Sequence, residues 1–256
     1  VGTALVTGAG RGLGAAIASR LAADGWRVGV LDRDRASVDG VVAGISGAVA
    51  LVADIVDEAA VDAALDRLGE VPTVVVNNAG IVRFGPLLDL DQSDFDAVVK
   101  VNLVGTFTVA RAAARRMVAA GRAGSIVNIT SMNGVAPGPN GGAYGATKAA
   151  IALLTQQMAV EWGPAGIRVN AVAPGMILAG MSEPVFADPV IREARQSKVP
   201  LGRLGTADDI ASVVAFLSSD AASYVTGQNV LVDGGVTMSI IATLPRPESV
   251  DRVGMR

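Results

Sequence analysis

The chain contains neither cysteine nor histidine. Disulfides, thiolate nucleophiles and metal sites built on cysteine or histidine are therefore excluded, and no metal site is expected. A Ser-His-Asp triad is excluded too. Any proton transfer falls to Tyr, Lys, Asp, Glu or water. The chain has no basic block and no acidic tail, and its net charge of −3 is spread with both signs mixed. Nucleic acid is not an expected partner. Charged, glycine or proline residues interrupt every long apolar run, so no membrane span is expected. The opening "TALVTGAG" shows no charged leader or cleavage site. These features, with a lack of cysteine that suits a reducing compartment, lead us to expect a soluble, cytoplasmic protein.

With 256 residues, 51% of them hydrophobic, the chain can bury a large core. Its 31 glycines are scattered rather than periodic, which argues against fibrous or disordered sequence. Short β-branched runs predict strands at 3–7, 27–31, 48–53, 73–77, 125–130, 167–172 and 229–232. Most are continuously apolar, as in strands buried on both faces of a parallel sheet. Helical patterns fall at about 12–24, 34–44, 57–68, 93–119, 143–162 and 207–218, with Ser93 (Asp96 three residues on) and Thr206 as expected caps. The βα rhythm predicts an α/β fold: one Rossmann-type, doubly wound parallel sheet of about seven strands with helices on both faces. No linker divides the chain, so residues 1–256 read as a single domain. Loops after strands line the ligand crevice of such sheets. The Pro/Gly-rich stretches 133–142 and 173–189 follow strands, and a substrate loop is expected over about 173–200.

Four stretches carry chemistry. "TGAGRGLG" (7–14) joins the first strand to the first helix. Gly8 permits a tight turn, Gly12 lets a pyrophosphate approach, and Gly14 allows close helix packing. The helix start then offers free amides to an anion. The spacing is not G-x-G-x-x-G, although Gly10 adds a further glycine. Asp32 closes the second strand, where a carboxylate accepts hydrogen bonds from ribose hydroxyls and repels a 2′-phosphate. NAD is therefore expected over NADP, with Arg11 and Arg33 the residues that could pair with such a phosphate. A helix cap is the other reading of Asp32. Asp54, ending the third strand, is a candidate for the adenine end. "NNAG" (77–80) and "NITSM" (128–132) end the fourth and fifth strands, the latter placing Ser131 on the crevice side. "YGATK" sets Tyr144 and Lys148 one helical turn apart in a chain with two tyrosines and three lysines. A lysine ammonium beside a phenol stabilises the phenolate, so a lowered tyrosine pKa is expected.

Taken in order, "TGAGRGLG", "NNAG", "VNLVGTF", "SIVNITS", "YGATK" and "VNAVAPG" resemble the short-chain dehydrogenase/reductase family, from Thr3 to the "LVDGG" at 231–235. The resemblance implies Tyr144 as general acid/base, Ser131 positioning the substrate oxygen, and Lys148 binding the nicotinamide ribose. It implies that Asn102 holds a water in a relay from Lys148. The implied cofactor-binding residues are Gly8, Arg11, Gly12, Leu13 and Gly14, then Asp32, Arg33, Asp54 and Ile55, then Asn78, Ala79 and Gly80. Tyr144, Lys148, Pro174, Gly175 and Ile177 complete the set. The chain departs from the pattern at Ala179, where the family often has a threonine bonding the nicotinamide carboxamide. It also departs in a longer tail, 236–256, whose "MSIIATL" is expected to dock, in one possibility against a neighbouring subunit.

The expected activity is NAD(H)-dependent interconversion of a secondary alcohol and a ketone. An NADPH-dependent 3-oxoacyl-thioester reductase is the alternative, and a non-catalytic dinucleotide-binding sensor or scaffold is the alternative of another class. A sensor has no need of Ser131, Tyr144 and Lys148 together. Candidate substrate-facing residues are Ile81, Arg83, Met132, Asn133, Met176, Leu178, Met181, Val185 and Phe186, which favour a largely apolar small molecule. Arg83 is expected to be solvated. The resemblance implies that helices 93–119 and 143–162 pair across a dimer interface within a homotetramer.

Overall fold

Residues 2–239 are described in a computed structural model of the chain. Seven parallel strands form one sheet: β1 (Thr3–Thr7), β2 (Arg27–Asp32), β3 (Val49–Val52), β4 (Val74–Asn77), β5 (Gly124–Ile129), β6 (Ile167–Pro174) and β7 (Asn229–Val232). Their order is β3-β2-β1-β4-β5-β6-β7. The expected α/β fold is thus observed. The helices are α1 (Gly12–Ala23), α2 (Arg35–Val42), α3 (Glu58–Leu68), α4 (Gln92–Val99), α5 (Thr106–Ala119), α6 (Tyr144–Trp162), α7 (Pro189–Gln196) and α8 (Ala207–Ser218).

Alternate residues of each strand feed cores on opposite faces of the sheet. Ala4 and Val6 of β1 join Ile17, Leu21, Val38, Ile210 and Val214 from α1, α2 and α8. Leu5 joins Leu65, Val109, Met117 and Met158 from α3, α5 and α6. β1 and β4 are buried along their whole length, which explains their unbroken apolar sequence. The chain winds outward from β1 to β3 and then restarts at β4 on the other side of β1. Strand ends diverge there, opening a crevice at their carboxyl side.

The structure departs from sequence expectation in four places. The helix expected over 93–119 is broken at its centre by a π-helical stretch, Lys100–Gly105. Ser93 does not cap α4, which starts at Gln92 after Asp91 with no side-chain cap. By contrast, Thr206 forms a full capping box with Asp209 at the start of α8. The third departure is inside the expected substrate loop, which holds a 3-10 turn (Gly180–Phe186) and α7. α7 buries none of its residues, so it carries no core-facing periodicity to read, although Asp188 caps it and Pro189 opens it. The fourth concerns membrane spans. The helical run Gln92–Ala119 is 28 residues long with a mean hydropathy of 1.3 in its most apolar window, long and apolar enough to cross a bilayer. Half of that window is buried inside the fold, where Val109, Ala110, Ala113 and Met117 supply core instead. The tail expected at 236–256 begins as a 3-10 turn, Val236–Met238, and most of it lies outside the described residues.

Candidate active site

The glycine turn is built by what its glycines omit. Gly8 has φ of +61°, and a Cβ on it would lie 2.7 Å from Ala79 Cα. A Cβ on Gly14 would lie 2.2 Å from the Gly8 carbonyl oxygen, so α1 can sit on the turn only without a side chain there. The turn is then stitched to the end of β4. Asn78 Nδ2 donates to the carbonyls of Thr7 (3.1 Å) and Gly8 (3.0 Å). Thr7 Oγ1 in turn accepts from the amides of Asn78 (3.1 Å) and Ala79 (3.2 Å). No side chain caps α1, so its first amides remain open to an anion.

Asp32 is not a helix cap; Asp34 takes that role for α2. The Asp32 carboxylate accepts from the amides of Gly10 and Asp34, both at 3.2 Å, which fixes it at the crevice edge. Each carboxylate oxygen keeps a lone pair for a ribose hydroxyl. Arg11 and Arg33 enter no ion pair among the described residues. Asp54 Oδ1 accepts from Val56 N at 3.2 Å.

The candidate reaction centre depends on α6. Its buried residues, Thr147, Lys148, Ile151, Thr155, Met158 and Ala159, recur at helical spacing. Lys148 therefore lies on the stripe that faces the core, and its ammonium enters the protein interior. Its Nζ donates to the Ile129 carbonyl at 2.7 Å and lies 5.5 Å from the centroid of the Tyr144 ring. Ser131 follows β5 and opens a 3-10 turn, Met132–Gly134. Its Oγ accepts from Asn133 N at 3.1 Å, which leaves the hydroxyl proton for the neighbouring Tyr144 oxygen or a ligand. Two glycines let this turn reach α6. A Cβ on Gly134 would lie 2.8 Å from Ala149 N, and one on Gly145 would lie 2.8 Å from the Asn133 carbonyl oxygen.

A single cavity of about 980 Å³ runs along this edge. Ser131, Tyr144, Lys148 and every expected cofactor-binding residue line it, including Leu13, Ile55, Gly80, Pro174, Gly175 and Ile177. Asn102 does not. It is fully buried in the π-helical stretch, and its side chain grips the chain itself. Oδ1 accepts from Ile81 N (2.8 Å), while Nδ2 donates to the Ile81 carbonyl (3.0 Å) and to Thr147 Oγ1 (3.2 Å). Thr147 Oγ1 donates to the Tyr144 carbonyl at 2.7 Å. Asn102 thus ties the segment after β4 to the first turn of α6.

Of the substrate-facing candidates, Ile81, Met132, Asn133, Met176, Met181, Val185 and Phe186 line the cavity. Arg83 and Leu178 do not: Arg83 pairs with Asp94 at 3.2 Å, and Leu178 packs against Phe186, Val199 and Leu204. Sequence reading missed Phe84, Ser182, Glu183 and Arg195, which also line the cavity. The last three belong to the 3-10 turn and α7, where no periodicity marked a face. It also missed the chain Asn77 to Asn128 to Thr155, bonded at 2.9 Å at each step, which joins β4, β5 and α6 through the core.

Electrostatics at the centre correct one expectation. The Tyr144 phenol is pushed up, not down: burial disfavours its ionised form, and the neighbouring Ser131 hydrogen bond only partly opposes this. Burial also pushes Lys148 down to about 8. Both groups share a poorly solvated pocket, and for each the loss of water is the largest cause of the shift.

A family profile described as enoyl-(acyl carrier protein) reductase matches residues 8–237. The chain is 41% identical to an L-rhamnose 1-dehydrogenase (NAD(P)(+)) of Azotobacter vinelandii, covering 93% of this chain and 97% of that protein. It is similar to the structure of a gluconate 5-dehydrogenase from Burkholderia cenocepacia in complex with NADP and tartrate (TM-score 0.87, 35% identity, 93% and 96% covered). It is also similar to a 3-ketoacyl-(acyl-carrier-protein) reductase from Brucella melitensis complexed with NADH (TM-score 0.84, 35% identity, 92% and 98% covered).

Burial of Lys148 predicts a pH dependence of stability. Between its folded pKa of about 8 and its ordinary value of 10.5, the unfolded chain binds a proton that the folded protein has released. Stability from this group therefore rises with pH across that window and is flat below it. Relative to Lys148→Met, the wild type should gain up to about 3 kcal/mol from the lower to the upper limit of the window. Urea unfolding of both proteins at a series of pH values measures it. Parallel curves would show that the ammonium is not desolvated.

Proposed function

The chain belongs to the short-chain dehydrogenase/reductase family and is an NAD(P)-dependent oxidoreductase acting on CH–OH groups; within that class we propose that it interconverts a secondary alcohol and a ketone with NAD(H), using Tyr144 as general acid/base. The observation that carries this reading is the wall formed by Ser131, Tyr144 and Lys148, in one cavity with an uncapped helix start and a crevice-edge carboxylate. The residues fit a dinucleotide. Gly8 and Gly12 give a turn without side chains at positive φ, α1 offers open amides, and Asp32 presents lone pairs to a ribose. Pro174, Gly175 and Ile177 would flank the nicotinamide, and Asn78 to Gly80 the adjoining ribose. When bound, the oxidised dinucleotide supplies the hydride acceptor and a positive charge at the cavity's catalytic end.

In the oxidising direction, ionised Tyr144 takes the hydroxyl proton as hydride leaves the same carbon. Ser131 turns its hydroxyl proton to the substrate oxygen and stabilises charge there in either direction. Lys148, with one proton on the Ile129 carbonyl, has two more for the ribose and for proton passage to and from Tyr144. Asn102 keeps this lysine's helix in register with the segment after β4, and a water beside it completes a proton route. The loop at about 173–200 closes the substrate end, with residues 1–256 acting as one domain. Met132, Met176, Met181, Val185 and Phe186 favour a largely apolar substrate body.

NADPH-linked reduction of a 3-oxoacyl thioester is the second reading, favoured by Arg11 and Arg33, which line the cavity without an ion pair among the described residues. We favour NAD because Asp32 is fixed where a 2′-phosphate would meet it. A homotetramer in the cytoplasm completes the proposal. Exposed Phe107 on α5 and Leu153 and Val160 on α6 give it apolar faces to bury, and the lack of cysteine suits the compartment.

Three measurements test this. Tyr144→Phe should lower kcat by about 10²–10⁴ while NAD binding persists; near-normal turnover would remove Tyr144 from the reaction. Wild-type kcat/KM should favour NAD over NADP, and Asp32→Ser should shift the ratio toward NADP by about tenfold or more. A wild-type preference for NADPH would instead establish the second reading. Sedimentation velocity should give a tetramer that Leu153→Glu dissociates; a monomeric wild type would refute the assembly.

A further inference from the structure

Most charged groups lining the cavity lie at its glycine-turn end: Arg11, Asp32, Arg33, Asp34 and Asp54. Lys148 belongs to the reaction centre. Two remain on the substrate side, Glu183 and Arg195. Glu183 is engaged, since its Oε1 accepts from Gly180 N at 2.9 Å and holds the start of the 3-10 turn.

Arg195 has no such occupation. It projects from the last turn of α7, is exposed, and enters no ion pair or side-chain hydrogen bond among the described residues. Its guanidinium carbon lies 5.9 Å from the centroid of the Phe186 ring. Phe186 is itself buried against Val199 and Leu204, so the ring is a fixed platform. A ring face attracts the cation without consuming its N–H donors. The helix beneath it is held at both ends. Asp188 caps its start, and Gln196 Nε2 donates to the Gly202 carbonyl at 3.1 Å. The result is a steadied cation, with all five donors unspent, at the rim of an otherwise methionine-rich pocket.

A fork of this kind matches an oxyanion in two parallel hydrogen bonds. On the reading of the site as an alcohol–ketone centre, we propose that Arg195 is the specificity-determining counter-ion of the substrate. The substrate class is then a secondary alcohol, or the ketone derived from it, with a carboxylate-type anionic group remote from the reacting carbon. The apolar pocket spans the distance between the two ends.

Matched pairs test it: 2-butanol with 3-hydroxybutyrate, 2-pentanol with 4-hydroxypentanoate, and cyclohexanol with 4-hydroxycyclohexanecarboxylate, each followed by cofactor reduction. The wild type should favour the acid of at least one pair by about tenfold in kcat/KM. In Arg195→Leu that acid-over-neutral ratio should fall by about tenfold, through KM, and Arg195→Lys should restore part of it. An unchanged ratio in Arg195→Leu, or turnover of the neutral members alone, overturns the anion and leaves the alcohol–ketone reading standing. No turnover of any member by the wild type overturns that reading and this one together.

Discussion

The structure depends on one seam, where β1 and β4 end side by side and the strand order reverses. Two hydrogen bonds from Asn78 Nδ2 to the Thr7 and Gly8 carbonyls, and two from the Asn78 and Ala79 amides to Thr7 Oγ1, close it. Backbone groups at a strand end lose their ladder partners, and burying them unpaired costs about 1–3 kcal/mol each. The seam satisfies them with one asparagine and one threonine. It also sets the height of the glycine turn and hence the direction in which α1 presents its open amides.

From that seam the candidate reaction centre follows by a second set of ties. Asn102 holds the Ile81 backbone by both its polar groups and reaches Thr147, which bonds the Tyr144 carbonyl. The cofactor end and the first turn of α6 are therefore coupled through one buried side chain. The π-helical stretch around Asn102 is the local distortion that accompanies this placement, as such distortions commonly do at functional sites. Burial is what the ties cost electrostatically. Tyr144 and Lys148 each resist ionisation in the folded protein, because burial removes the water that would solvate their charged forms.

Much of this was legible in sequence because it is written in local chemistry. Unbroken apolar strands between helical periods gave the sheet, and Thr206 with Asp209 marked a helix start that the structure reproduces. Gly8 and Gly14 were readable because a tight turn and a close helix require the absence of a Cβ. Ser93 failed as a cap because a capping residue must also precede the first helical turn, and α4 already begins at Gln92. The π-helical stretch was invisible because its contacts are made with residues well removed in the chain: Gly105 has no room for a Cβ beside Ile55, and Asn102 bonds the Ile81 backbone. α7 was missed because an exposed helix need not have an apolar stripe.

By itself, then, the amino-acid sequence determined the fold class and the glycine turn, which follow from residue type and local spacing, while Ser131, Tyr144 and Lys148 were singled out as a set by the family resemblance that the ordered motifs carry. The tertiary structure decided which direction the pKa of Tyr144 moves, that Asp32 is free of capping, that Asn102 ties two elements together, and that Arg195 rather than Arg83 faces the cavity. Those facts depend on burial and on partners that no regular helical or strand spacing brings together, with Asp94 claiming Arg83 and Phe186 steadying Arg195. Spacing along a chain cannot encode them, because desolvation and pairing are properties of three-dimensional neighbourhoods.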